Sequence, residues 1–447
     1  MANKGQLKSQ EENLKKVIGL GGAMSISAGQ VIGAGIMALT GIGIGLTGGS
    51  VVLSFILAAI LTIFMTMPIA VMGASVPTTG GLYRYTSRLL SPKMGFFYLL
   101  LFLLGQITIA MYAISFADYL QGLVPNVPVK MVALGILTLL YILNLFGVDF
   151  AAKIQGVMVS VLVASIIAFI IGGIPKVNLE VFSGPTLFTG GAKGFFVATA
   201  LLTFATSGAI VIAEMGGEMK NPGRDIPLAI ITTTICIGIL YAFMSTIAVA
   251  VLPLEEVAFQ PLTNVARAIL SKPLFLFFVI GGAMTALATT LNATFSHVTK
   301  GLLIACADGW LPKSMGKVNE KYGTPHYLLT IFYIVGAVPI VSGLSLEFIS
   351  KLGNGAILIA NLLPVISAYM LPKKYPEAYE NSKFKFSEKK FKIIVVVAAI
   401  IQGIQGYFLI SDLPSKTIIM SACYMLLVYI YCHFTWKKGK ISLTSDF

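Results

Sequence analysis

The chain has 447 residues, of which 57% are hydrophobic and 11% charged, and its formal net charge is +13. A mean hydropathy of +0.89 excludes an ordinary soluble domain and marks an integral membrane protein. The basic excess calls for no nucleic-acid partner, because Lys and Arg kept in cytoplasmic loops beside anionic inner-leaflet lipid account for it.

A polar segment, residues 1–16, precedes the first apolar run, and no small-residue cleavage site follows a short apolar core, so a retained N-terminal segment is expected. A bilayer core of about 30 Å takes roughly 20 residues of helix to cross. On that measure twelve spans are expected, at 17–46, 48–74, 94–124, 129–147, 154–174, 193–219, 226–252, 273–306, 326–342, 347–371, 391–411 and 415–436. With the N-terminus inside, the inner loops hold most of the 31 Lys and Arg, which places both termini in the cytoplasm of a cell-membrane protein. The basic run from Lys373 to Lys392 then forms a cytoplasmic loop whose simplest partner is membrane lipid.

Cys236, Cys306, Cys423 and Cys432 all fall in apolar spans with no paired spacing and read as small buried hydrophobes. His297, His326 and His433 stand far apart, and neither HExxH nor GxSxG occurs, so no metal site, cofactor or enzyme is expected. Gly43, Gly45 and Gly48 satisfy the dinucleotide pattern, but no strand precedes them.

Two spans carry interruptions near their middles: SAGQVIGAGIMALTG (27–41) in the first and FATSGA (204–209) in the sixth. They stand five spans apart and so enter the membrane in opposite senses, as the inverted repeats of secondary transporters do. Unwound backbone at membrane depth costs several kcal/mol per unpaired group unless a cavity and its ligand satisfy it. Half-helix N-termini offer N–H groups to a carboxylate, and freed carbonyls receive an ammonium, which suits a zwitterion. The alternative is that Gly29 and Gly33 form a helix-packing face.

Four motifs carry a family resemblance. GQVIGAGI (29–36), PTTGGLYRYTSRLLSPKMGF (77–96), GGEMKNPGRDIPLAI (216–230) and ADGWLPKSMGKVNEKYGTP (307–325) resemble, in order, segments of the amino acid-polyamine-organocation (APC) superfamily of permeases. The resemblance implies an all-α integral membrane protein of LeuT-type fold, with five plus five inverted helices and two appended C-terminal helices. It divides the chain into a cytoplasmic segment (1–16), a first repeat (17–174), a second repeat (193–371), a basic loop (372–390), two appended helices (391–436) and a tail (437–447).

What the resemblance implies for the site is a substrate carboxylate on the N–H groups of Gly33, Ala34 and Gly35, and an amino group near carbonyls of Val31, Ile32, Phe204, Ala205 and Ser207. Phe204 falls where relatives place an aromatic gate. Ile210 matches a place where some members handling cationic amino acids carry an acid; an aliphatic residue there favours a neutral side chain. Tyr112, Asn292 and Asn361 are further wall candidates by depth, or else members of interhelical hydrogen bonds. Some relatives carry a coupling lysine in the fifth span, and that position is Leu162 here. Proton coupling therefore looks to Glu214, sodium coupling to Thr289 and Thr290, and exchange needs neither. The threonines equally suit bonds to their own preceding carbonyls. The expected function is transport of a neutral L-amino acid by alternating access, proton-coupled or exchanging. The alternatives are sodium-coupled symport and a sensor that binds an amino acid without moving it.

Overall fold

The computed structural model describes residues 18–78, 81–145, 151–216, 219–319, 322, 324–437 and 441–443, and the backbone alone at 34, 151–158, 296, 297 and 300. The 1–16 segment, Glu218 and most of the 437–447 tail lie outside the described residues, as does the His297 side chain. The first apolar run is divided into α1 (Leu20–Val31) and α2 (Ala34–Thr47), and α3 (Val51–Ser75) returns. A short helix, α4 (Gly81–Leu89), leads to α5 (Pro92–Gly105) and α6 (Thr108–Leu123), which are parted at Gln106 and Ile107; α7 (Val129–Leu145) and α8 (Ala151–Gly173) follow. In the second half α9 (Gly191–Thr206) tightens into a 3₁₀ stretch, Ser207–Glu214, before α10 (Pro222–Ala250). A π-helical stretch, Phe277–Met284, runs into α11 (Thr285–Asp308), followed by α12 (His326–Val341), α13 (Leu346–Ser367), α14 (Glu388–Ser411) and α15 (Ser415–Lys437). Among the described residues the isolated β pairing is a parallel bridge between Ile18 and Met219.

Nine stretches among the described residues are long and apolar enough to cross a membrane, residues 20–75 counting as one, and α7 and α12 are shorter apolar helices. Their polarity is inverted relative to a soluble protein. In α3 the exposed residues are Leu53, Ile56, Ile60 and Phe64 at helical spacing, whereas Ser54, Ala58 and Thr62 are fully buried. Small and hydroxyl side chains let helices approach closely where lipid supplies no hydrophobic drive between them.

Two groups of helices result. One comprises α1, α3, the 3₁₀ stretch and α10, with α3 against α10 the most extensive pairing, and the other comprises α6, α7, α11 and α12. Helix α8 touches α1 and α10 on one side and the π stretch on the other, while α13 packs between α5 and α14. At one end a chain of ions ties three elements: Lys351 donates to Glu347 at 2.6 Å and to Asp412 at 2.5 Å, and Lys193 reaches the second Asp412 oxygen at 2.8 Å. At the other end Trp310 stacks on Phe96 at 4.8 Å and on Trp436 at 6.1 Å, and the Tyr431 hydroxyl donates to the Trp310 carbonyl, fastening α15 to the end of α11.

Candidate functional site

The first helix breaks where Ile32 (ψ 85°) and Gly33 (φ −151°, ψ −138°) leave helical geometry. The Gly33 N–H turns back to the Val31 carbonyl at 3.0 Å, and the Tyr241 hydroxyl of α10 donates to that same carbonyl at 2.7 Å. The N–H groups opening α2, beginning with Ala34 and Gly35, have no acceptor within the helix and form its positive end.

The expected second interruption takes another form: Thr206 passes straight into 3₁₀ turns, so the span is tightened and not unwound. The two irregular stretches cross backbone on backbone. A methyl group on Gly35 would stand 2.6 Å from the Ala205 Cα, and one on Gly208 would stand 2.5 Å from the Gln30 carbonyl oxygen. Glycine is what permits that approach.

The structure brings Val31, Ile32, Gly33, Gly35 and Ala205 together, buried, at this crossing. Phe204, Ser207 and Ile210 are half-buried beside it. The Phe204 ring stacks with Tyr112 at 6.5 Å, and Ser207 Oγ donates to the Phe204 carbonyl at 3.3 Å. Thr290 lies with its hydroxyl against Gly33 while donating to the Ala286 carbonyl at 2.8 Å; Thr289 donates to the Thr285 carbonyl at 2.9 Å. Glu214 stands apart. It closes the 3₁₀ stretch, about 12 Å past Gly208 at ~2.0 Å per residue, and its side chain lies over Gly81, whose φ of +59° suits glycine. Asn292 accepts from Asn144 at 2.6 Å between α11 and α7, whereas among the described residues the buried Asn361 Oδ1 has no partner. Leu162 is buried in α8.

Above the crossing, the connection from α10 to the π stretch folds over α2. Phe259 donates its N–H to the Gly41 carbonyl at 2.8 Å, and its ring covers Gly45. Between this lid and α6 remains about 30 Å³, lined by Met37, Ser115, Asp118 and Tyr119, which is room for little more than a water. On the opposite side α4 plugs the bundle, with Tyr83 donating to Asp308 at 2.5 Å and Tyr85 to the Ala213 carbonyl at 3.4 Å. Both approaches to the crossing are thus covered.

Sequence reasoning missed Tyr241, the Phe259 lid and the α4 plug. A signal for the lid was present: Gly41 and Gly45, one helical turn apart, leave a bare strip along α2 on which another segment lies.

Comparison with known proteins adds an independent line. Residues 18–432 match the sequence pattern of a family described as amino acid permease. A branched-chain amino acid permease of Bacillus subtilis is 27% identical over 398 residues, 83% of each chain. A methylthioribose transporter of the same organism is 25% identical over 92% of this chain and 91% of its own length, and a serine/threonine exchanger is 25% identical over 64% and 65%.

Proposed function

The chain belongs to the amino acid permease family, membrane transporters of LeuT-type fold and not enzymes, and from that premise we propose that it carries a neutral L-amino acid across the cell membrane by alternating access. The observation that supports this reading best is the crossing of the two irregular helices at Gly35 and Gly208, with the positive end of α2 opening onto it. The carboxylate would rest on the N–H groups of Ala34 and Gly35. The Val31 carbonyl already accepts from Tyr241 and Gly33, so the ammonium falls to the carbonyls of Ile32 and Ala205. Aliphatic Ile210 disfavours a cationic side chain, which would be costly to bury unpaired. Phe204 and Tyr112 stack beside the crossing and close over the cargo. In this reading both termini lie in the cytoplasm, as the Lys and Arg bias of the loops favours.

Coupling is assigned to protons or to exchange of one amino acid for another. A second reading, sodium coupling, draws on the Thr290 hydroxyl lying against the Gly33 break, where oxygens of two helices meet. Uptake into proteoliposomes tests all of these. Leucine, serine, arginine and methylthioribose are offered under a proton gradient, a sodium gradient, or neither with unlabelled amino acid inside. The expected result is saturable uptake of leucine or serine, with arginine excluded, under protons or preload. Movement of methylthioribose with no amino acid uptake would overturn the cargo, because that thio-sugar has neither carboxylate nor ammonium; uptake driven only by sodium would select the second reading.

A further inference from the structure

A cleft of about 320 Å³ opens where α3 ends and α10 begins, lined among others by Ser75, Lys220, Arg224, Asn381 and Lys383. Its three cations come from two segments distant in sequence, the start of α10 with the residues before it and the loop after α13, and among the described residues none of their side chains has a hydrogen-bond or ion-pair partner. Glu380, the acid nearest in sequence to Lys383, is taken up by Lys385 at 2.8 Å, and Asp225, which follows Arg224, is buried and not among the lining residues. Among the described residues the buried Ser75 Oγ has no partner, and α10 begins beside it with no side-chain cap from Asn221. Each feature favours an anion.

The position narrows the kind of anion. Both α3 and α10 are membrane-length apolar helices, so the cleft lies at the boundary between hydrocarbon and water. Further along the same two helices runs an exposed apolar groove of about 410 Å³, with Ile56, Ile60, Ile235, Ile239 and Phe243 among its walls. Eighteen residues, about five turns of 3.6, separate Ile56 from Ala74 and Arg224 from Ala242, so cleft and groove share one face of the helix pair. From Arg224 to Ile235 is roughly 16 Å at 1.5 Å per residue, close to half of a ~30 Å hydrocarbon core, the reach of one acyl chain.

We propose that this face is a binding site for an anionic phospholipid, its phosphate held by Lys220, Arg224 and Lys383 and one acyl chain lying in the groove between α3 and α10. The occupant bridges the α3/α10 group and the segment after α13, and so fastens together elements that alternating access would move apart. The site itself does not depend on which cargo the crossing carries.

Native mass spectrometry of the full chain, exchanged into mixed phosphatidylcholine and phosphatidylglycerol, tests the proposal. The wild type should retain phosphatidylglycerol. The combined variant Lys220→Gln, Arg224→Gln, Lys383→Gln should weaken that retention by about a hundredfold, as three charges worth a factor of about five each would give. A control of equal charge, Lys373→Gln, Lys389→Gln, Lys390→Gln, should keep it, and Ile239→Trp should weaken it without changing charge. Thermal melting in phosphatidylcholine alone confirms that each variant is folded. Equal loss in the control, unchanged retention in the combined variant, or millimolar inorganic phosphate displacing the lipid with no effect of Ile239→Trp would overturn the phospholipid assignment.

Discussion

Position 33 is where a single atom group decides most. Any side chain on Gly33 meets the Thr290 hydroxyl, so Gly33→Leu should abolish uptake while the protein still reaches the membrane; saturable transport by that variant would remove the crossing as the site. Tyr241 acts more gently. Its hydroxyl steadies the Val31 carbonyl at the break, and Tyr241→Phe should cost ~1 kcal/mol in melting stability and raise KM, because the carbonyl becomes free to reorient. An unchanged KM would make the hydroxyl merely structural. Glycine density made the break at Gly33 readable in the sequence, since helix interiors disfavour glycine. Tyr241 was not readable: one tyrosine in an apolar span looks the same whether its hydroxyl meets a neighbouring helix or nothing.

Among elements, the lid and the ion chain make separate claims. Phe259 adopts a positive φ of 58° and holds its ring on Gly45. Phe259→Ala should loosen the lid, so that in a background lacking the four native cysteines a cysteine placed at Ser115 is labelled several-fold faster from outside. Equal labelling rates would show that the lid is held by other contacts. At Asp412, burial raises the carboxyl, but Lys193 and Lys351 outweigh it and hold the group below the usual carboxylate value. A carboxyl lowered on folding contributes stability above its unfolded value of about 4, and that contribution is lost as pH falls through the lowered one. The melting temperature should therefore drop more steeply on acidification below about pH 4 in the wild type than in Asp412→Asn, which should start ~1 kcal/mol lower near neutrality. Parallel curves would deny the ion chain that role. Where twelve spans were expected, the described residues hold nine membrane-length apolar stretches and two shorter apolar helices; their apolar character was legible because span length and hydropathy are local properties. The 3₁₀ stretch after Thr206 was expected as an unwound break, since bonds to i−3 and to an open loop suit the same small residues; within it the Gln30 carbonyl leaves no room for a side chain at Gly208.

At the scale of the whole molecule, alternating access requires that the α1, α3 and α10 group move against the α6, α7, α11 and α12 group, and the covers on both sides of the crossing are where that motion would show first. Such covers bring together residues far apart in the chain, as Tyr83 meets Asp308, and local sequence patterns cannot register contacts of that span. Pairing of Ile18 with Met219 adds a backbone tie between the segment before α1 and the segment after the 3₁₀ stretch. The pair formed by Trp310 and Trp436 extends this to observation. The sequence holds two tryptophans in all, and they are stacked on each other at the end of the bundle where α11, α5 and α15 meet. The tryptophan emission of the unmodified protein, excited apart from that of its 17 tyrosines, therefore arises from one place. A change in colour or yield on adding cargo would report a rearrangement at that end of the bundle, giving the native chain an optical gauge of its own.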